Sequence, residues 1–319
     1  MNILEKGILQ IIRSRVSKWF KLEKSLAKSE FAIQSVPGSP EKSWPNPDKI
    51  PGGKEVPFSL KNISIVGHNL SSCISQGSKA IKSISNNPIT EKKIITEKEL
   101  KELRSFAKEI GIGSIGFTKL PEHLIFKDRA VLYNNAIVLT MEMDQSAIEK
   151  APSIETFKMV MSTYNDLGIK TNQISEKLRT MGFQCHASHP LGGLSLYPPL
   201  AVEAGLGWFG RHGLLITPEF GSRQRISTIF INVDNLPVSS ENSHQWIHDF
   251  CARCGRCIRN CPSNAILEQP VTHESGRKTH IIRDKCLPVF VNREGCSICI
   301  KECPYSKSDY FDIQKAFLK

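Results

Sequence analysis

Eight of the ten cysteines in this 319-residue chain fall between positions 251 and 303, and their spacing restricts what the chain can become more than any other feature. The first block reads Cys251-Ala-Arg-Cys254-Gly-Arg-Cys257-Ile-Arg-Asn-Cys261-Pro262. The second has Cys286, nine further residues, then Cys296-Ser-Ile-Cys299-Ile-Lys-Glu-Cys303-Pro304. The first block is a C-x2-C-x2-C-x3-C-P run, the pattern of two-cluster iron–sulfur proteins in which the fourth cysteine serves the other cluster. That logic assigns Cys251, Cys254, Cys257 and Cys303 to one [4Fe–4S] cluster, and Cys261, Cys286, Cys296 and Cys299 to a second. Crossed ligation ties the blocks together and keeps the clusters close enough for rapid electron transfer. Structural zinc usually takes its thiolates as two C-x2-4-C pairs, without the tight run of three seen here. A disulfide framework suits short secreted domains. Cys73 and Cys185 stand outside both blocks and read as small buried hydrophobes.

The cluster module needs only a fraction of the chain, so more than half of it must do something besides hold iron. The organisation expected is a basic amphipathic helix with a Pro-rich arm over 1–60, a central domain over 61–240, and the cluster domain with a short tail over 241–319. In the first part Leu4, Ile8, Ile11, Ile12, Val16, Trp19 and Phe20 recur at helical spacing, with Lys6, Arg13, Lys18, Lys21 and Lys24 between them. The favoured reading is a helix docked on its own domain. Its other use would be a weak contact of residues 1–24 with a membrane surface. Residues 36–60 carry six prolines and Gly52-Gly53 and read as an extended arm. No apolar run approaches the eighteen residues of a membrane span, no signal peptide is read, and the clusters favour a reducing interior, so a cytoplasmic location is expected. The formal charge of +11 falls by about four once two clusters of about −2 each are counted. The remaining basic balance does not choose between an acidic redox partner, a nucleic acid and an anionic surface.

The middle of the chain reads as α/β, or α+β. Thr96 and Glu99 form a capping box ahead of a helix reaching Ile110. Ser114–Thr118 and Asn135–Met143 read as strands, the second apolar enough to be buried. Ile154–Leu167 and Gln173–Met181 read as helices. Strands interleaved with helices predict a layered core.

Residues 198–225 hold Gly205, Gly207, Gly210, Gly213 and Gly221 together with Arg211, His212, Arg223 and Arg225. Glycines let a backbone approach a bulky ligand closely. Gly205-x-Gly207-x-x-Gly210 matches a dinucleotide fingerprint, but the stretch before it looks helical, and that fingerprint requires a strand there. With the cysteine blocks, Ala204-Gly-Leu-Gly-Trp-Phe-Gly-Arg-His-Gly-Leu-Leu-Ile-Thr-Pro-Glu-Phe-Gly221 resembles the cobalamin-dependent reductive dehalogenases and their relatives, the epoxyqueuosine reductases. The resemblance spans roughly residues 95–307. It implies a nitroreductase-like domain holding a base-off corrinoid, beside a ferredoxin-like module with two [4Fe–4S] clusters. Gly205, Gly207, Gly210, His212, Gly213, Thr217, Phe220 and Gly221 are the corrinoid contacts expected. No aspartate has a histidine two places on, in agreement with a corrinoid lacking a histidine ligand.

Within this superfamily the dehalogenase branch fits better. Tyr164 lies ahead of Leu178-Arg-Thr-Met-Gly-Phe183, the place of the dehalogenase catalytic tyrosine, and Arg223-Gln-Arg225 matches an Arg-x-Arg of that branch. Between Gly182 and Gly205 there is no aspartate to serve as the epoxyqueuosine catalytic acid. Gly192-Gly193 departs from the dehalogenase pattern, which often has Asn-Asp there. A reductive cleavage needs a proton. An ordinary tyrosine, with a pKa of about 10, holds one at neutral pH, and a neighbouring cation eases its donation. Tyr164 is therefore the expected donor and Arg225 that cation. The partners expected are a low-potential donor of ferredoxin or flavodoxin type and a small-molecule electrophile. The alternatives are an epoxyqueuosine reductase-like enzyme acting on tRNA, and an electron carrier or corrinoid-reducing partner.

Overall fold

The computed structural model describes residues 3–42, 60–239 and 241–319. Most of the Pro-rich arm, 43–59, lies outside the described residues. Helix α1 (Ile3–Leu26) leads into β1 (Ile33–Gln34), and α2 (Leu60–Lys82) follows the arm. Then α3 (Glu97–Glu109) opens with the expected capping box: Thr96 accepts from the Glu99 N–H while the Glu99 carboxylate accepts from that of Thr96. After it come β2 (Ser114–Lys119), β3 (Ala130–Val131), β4 (Asn135–Glu142), α4 (Gln145–Glu149) and α5 (Ile154–Thr180). The central part closes with β5 (Cys185–Ser188), α6 (Tyr197–Glu203), β6 (Trp208–Phe209), β7 (Leu215–Ile216) and β8 (Gln224–Ile231).

Four of these strands form one sheet in the order β2-β4-β8-β5. Helices interleave with strands along the chain, yet every ladder of this sheet is antiparallel. β4 is buried over all but its last residue, and its alternating side chains feed two cores. Ala136 and Val138 face α6 with Phe230, Leu200 and Ala201. Ile137 and Leu139 face α3 and α5 with Leu103, Leu167, Ile174 and Leu178. Where the sequence reads two helices, α5 is a single 27-residue helix. Gly168 sits inside it, with the His189 ring where a Cβ would be.

Helix α1 docks on this core. Trp19 is 2% exposed and packs over Gly77 of α2 and over Gly192. One turn further on, the buried Glu23 carboxylate meets Lys42 at 2.5 Å and Arg129 at 3.2 Å. Desolvation raises the Glu23 carboxyl and lowers Lys42 to about 8, against the attraction between them.

The cysteine-bearing part contains α7 (Ile247–Cys254), α8 (Arg256–Arg259), a hairpin of β9 (Ile266–Thr272) and β10 (Lys278–Ile281), α9 (Arg283–Asn292), α10 (Ile298–Lys301) and α11 (Tyr310–Phe317). An aromatic layer fastens it to the central domain: Trp246, Phe250, Tyr305 and Tyr310 pack with Ile216 of β7 and Trp208 of β6. No helix among the described residues is long and apolar enough to cross a membrane.

Candidate functional site

The two cysteine blocks fold as near copies. Gly255 and Ser297 each follow the first cysteine of a C-x-x-C turn, and both are left-handed, at φ +58° and +57°. A one-turn helix begins right after each, α8 and α10, which places Cys257 and Cys299 alike. Glycine takes this conformation freely, whereas serine is strained in it. Ser297 offsets part of that strain by donating from its hydroxyl to the Gly295 carbonyl at 2.8 Å.

The thiols separate into two electrostatic neighbourhoods. Cys251 senses Cys303, Cys257 and Cys254, and Cys303 senses Cys257 and Cys254. Cys286 senses Cys261 and Cys296, and Cys299 senses Cys286 and Cys296 most strongly. Cys299 also senses Cys257, ahead of Cys261, so the two neighbourhoods adjoin. The first set frames a small cavity with Arg211, His212, Phe250, Gly255, Pro304 and Tyr305. Among the described residues no three His, Cys, Asp or Glu side chains converge to hold a single metal ion, whereas a cluster spreads its four thiolates around its own body. Burial pushes Cys251 and Cys303 up to about 12 and raises Cys299 as well. Such thiols become ligands only when a bound cation drives off their protons. Burial opposes ionisation at Cys261 too, but hydrogen bonds from Ser263 and the Ala265 N–H, both at 3.4 Å, bring it below the ordinary thiol value.

The glycine-rich segment lies directly against the first cysteine set. The peptide N–H groups of Arg211 and His212 face the Cys251 and Cys257 sulfurs and favour their thiolate forms. Further along, the Ser222 and Ser306 hydroxyls meet at 2.7 Å in the interior. This changes the meaning of the glycines. A Cβ on Gly207 would overlap the Ile216 carbonyl, one on Gly210 the His212 ring, one on Gly213 His280 of β10, and one on Gly221 the Tyr305 carbonyl. Four of the five expected ligand-facing glycines are thus required by the chain's own packing, and only Gly205, at φ +70°, has ordinary space beside it. Thr217 is fully buried and pairs with Gly221 through both main-chain hydrogen bonds. Phe220 packs over Gly113.

Tyr164 of α5 and Arg225 of β8 come together at one end of the sheet, the Arg225 guanidinium carbon 3.7 Å from the ring centroid. Arg225 also points a terminal nitrogen at the Met143 sulfur, at 3.1 Å. Its neighbour Arg223 binds Glu142 at 2.7 Å. The Nε atoms of both arginines, a terminal nitrogen of Arg211 and the Tyr305 hydroxyl are buried without a partner among the described residues. Gly192 and Gly193 have a packing reason: a Cβ on Gly192 would press on Trp19, one on Gly193 would overlap the Tyr197 hydroxyl, and the Gly192 carbonyl accepts from Lys42. The sequence reading missed α2, Arg211 as a wall of the cluster cavity, His280 and Tyr305. Tyr305 alone had a local signal, its place right after Cys303-Pro304.

Comparison with known proteins follows this geometry. Residues 250–307 match the family model of a 4Fe-4S dicluster domain. Tetrachloroethene reductive dehalogenase of Sulfurospirillum multivorans is 30% identical over 65% of this chain and 42% of its own length. Epoxyqueuosine reductase of Aliivibrio fischeri is 31% identical over 47% of this chain and 39% of its own. Each match thus spans well under half of the relative's length. Among solved structures, the catabolic reductive dehalogenase NpRdhA superposes with a TM-score of 0.62 at 19% identity, covering 77% of this chain and 38% of that one. By sequence the chain is a relative of both the reductive dehalogenases and the epoxyqueuosine reductases, and over most of its length it shares the fold of NpRdhA.

Proposed function

We propose that the chain is a corrinoid- and iron–sulfur-dependent reductase of the dehalogenase type, cleaving a small-molecule electrophile and protonating the product. The observation that carries this is the Tyr164–Arg225 stack, set on the same β8 that the glycine-rich segment leads into from the first cysteine set. Cys251, Cys254, Cys257 and Cys303 would hold the cluster nearer the central domain, and Cys261, Cys286, Cys296 and Cys299 the outer one. A ferredoxin- or flavodoxin-type donor would feed electrons to them. A corrinoid, held base-off by a nitroreductase-like central domain, would supply a low-potential nucleophilic cobalt. The donor set suits that ligand: Arg211, Arg223, Arg225 and Tyr305 each keep a buried polar atom without a partner, and corrinoid carboxamides are acceptors.

In this reading Tyr164 holds the proton that the cleaved product takes up. Arg225 lies over the face of its ring and holds it in place. The aromatic layer of Trp246, Phe250 and Tyr305 shields the first cluster from water. The deciding experiment is anaerobic reconstitution with iron, sulfide and cobalamin, then turnover with a low-potential artificial reductant. Haloaromatics, haloalkenes and epoxyqueuosine-containing tRNA are offered side by side. Bound cobalt with turnover of a halide supports the proposal. Turnover of the tRNA alone moves the chain to the other branch, and eight irons without cobalt leave an electron carrier.

A further inference from the structure

The buried imidazole of His212 has a proton whose acceptor the chain does not supply. The Leu214 N–H donates to His212 Nδ1 at 3.2 Å. A main-chain amide can only donate, so Nδ1 presents its lone pair, and the proton of the neutral ring sits on Nε2. That Nε2 is buried and has no hydrogen-bond partner among the described residues, on a residue 1% exposed. An unmet donor of this kind is costly in an interior. The ring packs against the Gly210 backbone with no room for a side chain between them. The residue also lines the cavity framed by Cys251, Cys254, Cys257 and Cys303.

We infer that His212 donates its Nε2–H to the first [4Fe–4S] cluster, at a bridging sulfide or a cysteine sulfur, and helps set that cluster's potential. Reduction adds negative charge to the cluster. A donor to its sulfurs therefore stabilises the reduced form more than the oxidised one and raises the potential. The cavity that His212 lines includes none of Cys261, Cys286, Cys296 and Cys299. The effect is thus confined to the first cluster. His212 acts on potential, as a positioning residue, and does not touch substrate.

The inference rests on the two-cluster reading, and the test separates the two. Reconstituted wild type is first analysed for iron, and four atoms or fewer would fail the cluster reading itself. Protein carrying eight irons and histidine labelled with 15N in the imidazole ring alone is then reduced and examined by pulsed EPR. A histidine 15N coupling on one of the two reduced clusters is expected, and its absence overturns the inference without any variant. In a redox titration, His212→Leu should lower the potential of one cluster by about 59 mV, the equivalent of a tenfold change in its reduction equilibrium, and leave the other in place. His212→Gln, which keeps an N–H, should recover part of the shift. Unchanged potentials in His212→Leu with full iron, or equal shifts in both clusters, would also overturn it.

Discussion

The Arg225 guanidinium carbon lies over the Tyr164 ring, 3.7 Å from its centroid, and so meets the ring's face and not its hydroxyl. The two residues are 61 positions apart and meet because β8 and α5 pack together on one side of the sheet. This geometry separates packing from chemistry. Tyr164→Phe keeps the stack and removes only the acidic proton. Its melting temperature should match wild type while turnover falls about 10²–10⁴-fold, the usual worth of a positioned proton donor. Full activity in Tyr164→Phe would remove the donor role.

The twin left-handed turns predict unequal tolerance. Gly255→Val puts a β-branched side chain at φ +58°, a conformation such residues avoid, and should cost the protein the four irons of the first cluster. Ser297→Gly exchanges one hydrogen bond of about 1 kcal/mol for relief of left-handed strain of about 1–2 kcal/mol. Eight irons and an unchanged or higher melting temperature are expected. Loss of the second cluster in Ser297→Gly would show that the Ser297 hydroxyl, and not the backbone conformation, makes that turn.

Glycines of the segment should differ in the same way. Gly221→Ala sets a methyl into the Tyr305 carbonyl at φ +57°, whereas Gly205→Ala meets only the Ser239 side chain at 3.6 Å. Gly205→Ala should cost about 1 kcal/mol, chiefly from its positive φ. Gly221→Ala should cost clearly more, because the backbone joining the central domain to the first cysteine set must move. Denaturant unfolding of the two variants measures the gap, and equal losses would contradict the packing account.

His186 makes stability depend on pH. Its Nε2 accepts from the Leu132 N–H at 3.2 Å, and the ring stacks near Phe230 with centroids 5.1 Å apart. Burial first, and then the Arg179 charge, bring it down to about 3. The folded form therefore refuses a proton that the unfolded chain takes up below its ordinary value of about 6.5. Stability contributed by the neutral ring is intact above that value and is lost as pH falls toward 3. Between pH 7 and 5 the melting temperature of wild type should drop more than that of His186→Gln. Parallel slopes would exclude His186 as the cause.

The sequence by itself determined the features whose geometry is local: the capping box at Thr96 and Glu99 and the burial of the apolar strand β4. Tertiary structure alone showed that Gly207, Gly210, Gly213 and Gly221 are pressed by the chain itself, because the atoms opposite them belong to Ile216, His212, His280 and Tyr305. It also decided that α5 runs on through Gly168, since His189 fills the missing side chain's place. The same holds for Gly192-Gly193, which the fold explains by Trp19 and Tyr197. Tyr164 and Arg225 lie between these cases. Each carries a local sequence context, but a cation over a ring is a relation between two elements, and only the packing of β8 against α5 creates it.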